Sequence, residues 1–227
     1  KENTNLPVTV TLSFDENGVT MNGSTASAVA VTLNALGADA VGLNCSLGPD
    51  KLGKVVDELL KYSKAPVIVK PNAGLPDLKT GKYSMGAEEF AQLTANFYEK
   101  GAIILGGCCG TSPEYIKALK EALLKRNKGE RKGIVTGVIS GATETVILNE
   151  PRIIGERINP TGKKKFKEAL ENKDLDYILN EGLSQIQAGA EILDVNVGHS
   201  EIDEEEMMVK VINSLQGSIG VPLQLDS

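Results

Sequence analysis

The feature that most constrains this chain is a repeated alternation of short, β-branched apolar runs with longer amphipathic segments. Residues 8–14, 40–45, 67–70, 102–105, 153–155, 192–195 and 221–225 have the composition of strands. Between them, residues 25–36, 51–63, 87–100, 113–125, 163–171, 175–188 and 204–215 read as helices. Their apolar residues recur at spacings of three and four, as at Val55, Val56, Leu59 and Leu60. Pro113 suits the first turn of the fourth helix, and Ser112 is placed to cap it. A strand–helix repeat points to parallel sheets joined by helical crossovers, so the expected class is α/β.

One interval breaks the rhythm. The polar run Arg126-Asn-Lys-Gly-Glu-Arg-Lys-Gly133 is followed by two β-like stretches, 134–140 and 143–148, around Gly141-Ala142. The chain therefore divides into residues 1–126, a linker with a hairpin over 127–150, and residues 151–227. The alternative is an insertion within one doubly wound domain. Four strand–helix units precede the linker and three strands follow it, whereas a (β/α)8 barrel needs eight units and about 250 residues. Neither half can close, so the chain is expected to be a piece of a longer protein.

Composition narrows the function. With 41% hydrophobic and 24% charged residues, the chain has a soluble globular profile. It lacks the run of roughly 18 apolar residues that a membrane span needs. Lys1-Glu-Asn-Thr-Asn5 has neither the basic flank nor the apolar core of a signal peptide, so the expected location is the cytoplasm. A net charge of −6 argues against a nucleic-acid surface. The cluster Lys163-Lys164-Lys165 reads as a solvated helix start. Three cysteines, an odd number, do not make a disulfide framework. With one histidine, a His-rich metal site is excluded, and a hydrolase relying on histidine would have to use His199.

The cysteines all stand at strand ends. Cys45 closes Ala40-Val-Gly-Leu-Asn-Cys45, and Cys108 and Cys109 follow Ala102-Ile-Ile-Leu-Gly-Gly107. In a parallel sheet all three emerge at the carboxyl edge, where α/β active sites are built. Neighbours on an extended strand point to opposite faces, so Cys108 and Cys109 converge only if the backbone bends. Gly106, Gly107 and Gly110 supply that freedom. Three convergent thiolates fit a zinc ion with one open position, favoured by the nearby helix N-terminus at Ser112–Glu114. Buried structural cysteines and a vicinal disulfide fit the same residues. Three thiolates on Zn²⁺ leave a net charge near −1, which suits holding an incoming thiol as a nucleophile for alkyl transfer better than it suits hydrolysis.

Asn44-Cys45-Ser-Leu-Gly-Pro49 and Gly106-Gly-Cys-Cys-Gly-Thr-Ser-Pro113 resemble the zinc motifs of the homocysteine methyltransferase barrel. The resemblance covers roughly residues 7–125 and the later strands of that barrel. It implies that Cys45, Cys108 and Cys109 hold a zinc ion that binds homocysteine as its thiolate.

In the second half each strand ends in polar residues: Glu156 and Asn159 in Gly155-Glu-Arg-Ile-Asn159, Asp194 and Asn196 in Leu193-Asp-Val-Asn-Val-Gly198, and Asp226 in Leu225-Asp-Ser227. Asp194 and Asn196, two apart, share one face of a strand. Carboxylates and amides complement the donor- and acceptor-bearing edge of a pterin ring. Plainer readings are a turn cap for Asp194 and Asn196, and pairing of Glu156 with Arg157 or a lysine. No metal is required here, although Asp and Glu side chains are also ligands for Mg²⁺. His199 reads as a loop residue rather than a general acid. Tyr62, Tyr83, Phe90, Phe97, Tyr98 and Tyr115 read as packing residues, and Met207-Met208 as core.

These strings resemble the methyltetrahydrofolate branch of the pterin-binding methyltransferases, over about residues 150–227. The resemblance implies pterin-site positions at Asp226, Asp194 and Asn196, and also at Glu156 and Asn159. A homocysteine-type half followed by a methyltetrahydrofolate-type half is the order of the cobalamin-dependent methionine synthase family. It implies two (β/α)8 TIM barrels in tandem, each partly represented here, and a methyl group moved from 5-methyltetrahydrofolate by way of cobalamin to homocysteine. The cobalamin-binding module lies outside this sequence, in cis or in trans. The alternatives are a corrinoid-independent homocysteine methyltransferase using a small donor such as a betaine, and a zinc-binding fragment without turnover.

Overall fold

The computed structural model describes residues 5–131 and 133–226. Residues 1–4 of the N-terminal stretch, Lys132 of the polar run and Ser227 of the last motif lie outside the described residues. The chain forms two compact units, Lys1–Thr136 and Gly137–Ser227.

In the first unit the strands are β1 (Thr9–Leu12), β2 (Ala40–Asn44), β3 (Val67–Lys70) and β4 (Ile104–Leu105). They form one sheet in sequence order, every neighbouring pair parallel. Helices α1 (Ala26–Ala35), α2 (Gly53–Tyr62) and α3 (Ala87–Glu99) are the crossovers, and α4 (Pro113–Leu123) follows β4. β2 and β3 read as near-continuous apolar runs because both their faces are covered, and Val41, Leu43, Val67 and Val69 are all buried. The apolar stripe of α2, Val55, Val56, Leu59 and Leu60, packs into the same core. Phe90 of α3 meets Tyr115 of α4 edge-on, ring centroids 5.6 Å apart, in a second cluster.

The polar run after α4 lies along this unit. Arg126 donates through Nη1 to Asn96 Oδ1 and Glu99 Oε2, each at 2.6 Å. Gly129 N donates to Tyr98 O at 3.0 Å. The Arg131 guanidinium, half-buried, donates to the carbonyls of Ser63 at 3.0 Å and Ala65 at 2.6 Å. Those carbonyls belong to the turn leading into β3, where Ala65 O also accepts from the Ser63 hydroxyl at 2.9 Å, and the guanidinium gives each a charged donor.

The second unit opens with the antiparallel hairpin β5 (Val138–Ser140) and β6 (Thr145–Ile147). Then come β7 (Ile154–Ile158), α5 (Lys164–Glu171), α6 (Leu175–Gln187), β8 (Ile192–Asn196), α7 (Glu204–Gln216) and β9 (Leu223–Asp226). β7, β8 and β9 form a three-stranded parallel sheet with β8 in the middle. Asp174 and Asp203 cap α6 and α7, accepting from Tyr177 N and Glu206 N at 3.0 Å. Ile158, Leu170, Ile178, Leu193, Val195, Val211 and Leu215 make the core.

The class is therefore α/β with parallel sheets, and among the described residues each sheet is an open, linear array. No described helix is long and apolar enough to cross a membrane. Two local expectations need correction. Ser112 stands at the N-cap of α4 but makes no side-chain cap bond; its carbonyl, not its hydroxyl, accepts from Tyr115 N. Lys163 is not simply solvated, since its Nζ reaches the carbonyls of Glu156 at 3.4 Å and Arg157 at 3.2 Å at the end of β7.

Gly42 marks how closely β2 approaches β3: a β-carbon there would fall 2.0 Å from the Ile68 carbonyl oxygen. Both groups are backbone within a buried sheet and neither can step aside. Gly42→Ala is expected to destabilise the first unit by about 3 kcal/mol, read as a lower denaturation midpoint for that unit.

Candidate functional site

The cysteine cluster sits at the carboxyl edge of the first sheet, organised by the residues that extend β3. Lys70 O accepts from Cys45 N at 3.0 Å, and Asn72 N donates to Leu47 O at 3.0 Å. On the other side Pro71 O accepts from Cys108 N at 2.8 Å, and Ala73 N donates to Cys109 O at 2.9 Å. The buried Asn72 side chain completes the set, its Oδ1 accepting from Cys109 N at 3.1 Å. Residues 70–73 thus bind one cysteine loop along each side.

The loops bend to bring their sulfurs inward. Cys45 and Ser46 both adopt left-handed backbone, with φ of 59° and 61°, at a cost of roughly 1–2 kcal/mol each. Beyond β4 the chain turns through Gly110, at φ 79°, and the Thr111 hydroxyl donates to Cys108 O at 2.7 Å. The bend expected at the glycines is therefore present, and Cys108 and Cys109 converge. Each cysteine offers a sulfur within 4.8 Å of the other two. Cys45 and Cys108 are joined as a disulfide with Cα atoms 5.4 Å apart, whereas Cys109 is a free, exposed thiol with its Sγ 4.0 Å from that of Cys45. The vicinal pairing considered from sequence is absent.

Tyr83 departs from its expected packing role. It lies on the loop between β3 and α3, its ring against Gly110, where a β-carbon would come within 2.2 Å of the ring. Burial, and then the neighbouring Cys109 side chain, push its phenol above the ordinary value. Asn72 was also not singled out from sequence. Applying to β3 the rule used in the second half, that polar residues at the carboxyl end of a parallel strand are candidates, selects it directly.

In the second unit the register sets Asp194 opposite Gln224 and Asn196 opposite Asp226. Asn196 Nδ2 donates to Asp226 Oδ2 at 3.0 Å, and Asn196 Oδ1 accepts from Gly198 N at 2.8 Å. Asn196 therefore both closes a turn and fixes Asp226. Glu156 accepts from Asn159 Nδ2 at 2.5 Å and lies 3.7 Å from Lys163 Nζ, and Asn159 Oδ1 accepts from Thr161 N at 2.9 Å. Arg157 pairs with Glu181 instead of Glu156. His199 is tied to Glu171, Nε2 to Oε1 at 2.7 Å.

Asp194 stands apart from these satisfied groups. It is 7% exposed, and its Oδ1 is buried without a hydrogen-bond partner. Burial, then the charges of Asp226 and Glu156, raise its pKa above the ordinary carboxylate value, against a hydrogen bond from Gln224. A buried acceptor without a donor is costly to the fold and is common where a ligand supplies the donor.

With this geometry in view, the comparisons with known proteins are direct. The homocysteine S-methyltransferase family matches residues 1–123, and the pterin binding enzyme family matches residues 155–227. The chain belongs to the homocysteine S-methyltransferase family, and the segment after that match is similar to pterin binding enzymes. It is similar to two enzymes named methionine synthase. That of Mycobacterium leprae (strain TN) is 33% identical over 233 residues, and that of Mycobacterium tuberculosis (strain ATCC 25618 / H37Rv) is 32% identical over 228. Each alignment takes in 98% of this chain and 19% of the relative, so the chain spans about a fifth of their length.

Because the folded-state pKa of Asp194 lies above its unfolded value, the native protein binds the extra proton, and stability falls as pH rises through the interval between them. Above that interval the ionised, under-satisfied carboxylate bears the full cost. Asp194→Asn should flatten this dependence. It should also raise the neutral-pH midpoint of the second unit by roughly 4–8 °C, taking the relief as about 1 kcal/mol. Calorimetry across a pH series checks both.

Proposed function

We propose that this chain supplies the two substrate sites of a methyltransferase that moves the methyl group of 5-methyltetrahydrofolate, by way of a cobalamin held on another module, to homocysteine, yielding methionine. On this reading each unit is part of a (β/α)8 barrel, the first for homocysteine and the second for the folate. The observation that carries it is the meeting of three cysteine sulfurs at the carboxyl edge of a parallel sheet, in a chain whose remainder matches pterin-binding enzymes.

Cys45, Cys108 and Cys109 would hold the zinc ion. Tetrahedral Zn–S bonds of about 2.3 Å set sulfurs about 3.8 Å apart. The Cys45–Cys109 separation of 4.0 Å already fits. Reduction of the Cys45–Cys108 bridge by a thiol reductant frees those two sulfurs to join Cys109 as ligands. Zinc, when bound, lowers the pKa of the substrate thiol and leaves a sulfur electron-rich enough to attack a methyl group. The protein's own part is to fix the sulfurs: residues 70–73 hold both cysteine loops by backbone hydrogen bonds, so little reorganisation accompanies substrate binding.

In the second unit Asp194 supplies an acceptor for the donor-bearing edge of the pterin ring. Asn196 and Asp226, already joined, present a paired amide and carboxylate beside it. Glu156 and Asn159 form the adjoining wall. Together they orient the methylated ring nitrogen towards the methyl acceptor and reduce the entropic cost of the encounter. A corrinoid-independent methyltransferase would leave residues 155–227 without a role.

The test separates the two sites in the full-length protein. Cys45→Ser should lower zinc content and reduce homocysteine methylation at least about a hundredfold, leaving demethylation of methyltetrahydrofolate intact. Asp226→Asn should do the reverse. A folded variant that loses both half-reactions would contradict the assignment of one chemistry to each unit.

A further inference from the structure

The loop that follows β8 carries an interaction that neither substrate site uses directly. Residues 197–203 run from the carboxyl end of β8 to Asp203, the cap of α7. Val197 is fully buried, Ile202 packs against the core, and Ile202 N donates to His199 O at 3.2 Å. Between these anchors the His199 side chain, 12% exposed, turns to the end of α5, where its Nε2 lies 2.7 Å from Glu171 Oε1. A carboxylate offers only acceptors, so the Nε2–H donates. Glu171 stands on a fixed base. Phe166 and Leu170 of α5 are buried, and beyond the helix Lys173, at φ 55°, turns the chain so that Asp174 N donates to Ala169 O at 2.8 Å. Lys173 Nζ, 3.6 Å from Glu206 Oε1, ties the same turn to the start of α7.

We propose that His199 is a positioning residue for the folate site: its hydrogen bond to Glu171 holds the loop so that Gly198 fixes the Asn196 amide, and Asn196 fixes the Asp226 carboxylate for the pterin ring. This rests on the folate reading of Asp194, Asn196 and Asp226. The links are direct. Gly198 N donates to Asn196 Oδ1 at 2.8 Å, which leaves Asn196 Nδ2 facing Asp226 Oδ2 at 3.0 Å. The approach of Gly198 is close, since a β-carbon there would fall 3.2 Å from Asn196 Oδ1. Gly198 keeps that approach only while the next residue is held, and the imidazole is the side chain that holds it. In this role His199 transfers no proton; it acts through Asn196. A carboxylate fixed before the ligand arrives has less freedom to lose on binding.

Equilibrium titration of the full-length protein with 5-methyltetrahydrofolate tests this. His199→Ala should raise the dissociation constant roughly tenfold, the effect of one lost hydrogen bond to a charged group. His199→Gln, whose amide can donate from near the Nε2 position, should stay within about twofold of the parent. In an Asn196→Ala background the link to Asp226 is already cut, so adding His199→Ala should change the constant by less than about twofold. Glu171→Ala removes the partner and leaves the imidazole in place. It should reproduce the rise seen with His199→Ala, and it decides the question if that variant does not fold. An unchanged constant in Glu171→Ala would overturn the proposal. So would a His199→Ala effect of equal size with and without Asn196, or a His199→Gln variant as weak as His199→Ala, since either marks the ring as packing alone. A parent protein that binds no 5-methyltetrahydrofolate would instead overturn the folate reading, and the role of His199 with it.

Discussion

The first unit depends on a short piece of chain that carries no cysteine. Adjacent strands are spaced about 4.8 Å apart, so β2 and β4, separated by β3, end about 9–10 Å from each other. Sulfurs on those two strands cannot meet unless both chains are pulled over the end of the strand between them. Lys70 and Pro71 provide that pull by accepting from Cys45 and Cys108, and Asn72 and Ala73 by donating to Leu47 and Cys109, with the Asn72 side chain also accepting from Cys109. The left-handed backbone at Cys45 and Ser46 and the turn at Gly110 are the local cost of the convergence. Strain of this kind persists where surrounding contacts over-determine it, and here five hydrogen bonds do so.

The second unit stores its tension differently, in charge instead of backbone geometry. Most of its polar strand ends are internally satisfied: Asn196 with Asp226, Glu156 with Asn159 and Lys163, His199 with Glu171. Among the described residues of this unit, Asp194 alone keeps a buried side-chain oxygen unpaired, next to two other carboxylates. A chain selected only for stability would carry an asparagine or an apolar residue there. The retained carboxylate is intelligible if a ligand with N–H donors completes it, which is the property a pterin ring offers.

Much of this was legible in the sequence, for physical reasons. Helix α3 and strand β3 begin where their apolar periodicity begins, and the three cysteines and the polar strand ends follow from the direction of a parallel strand. The parts that were not legible depend on contacts distant along the chain. Tyr83 lies next to a helix, and local pattern makes it a packing residue; only the fold-back of residues 75–84 carries it to Gly110 and Cys109. Asn72 looks like a loop residue until its partner, the amide of Cys109, is placed beside it. Arg131 sits in a run whose composition suggests a solvated linker, yet its guanidinium supplies donors to two carbonyls far earlier in the chain. Strand β4 is expected from residue 102 but begins at Ile104, because the apolar composition starts before the first ladder pair.

The central claim is that the three sulfurs act together as a metal-binding, thiol-activating group. Zinc-edge X-ray absorption on the reduced, zinc-loaded protein, with and without homocysteine, tests it most directly. The account predicts about one zinc per chain, with three sulfur neighbours at about 2.3 Å that become four when homocysteine is added. Zinc whose sulfur count never rises, or a reduced protein that takes up none, would contradict it.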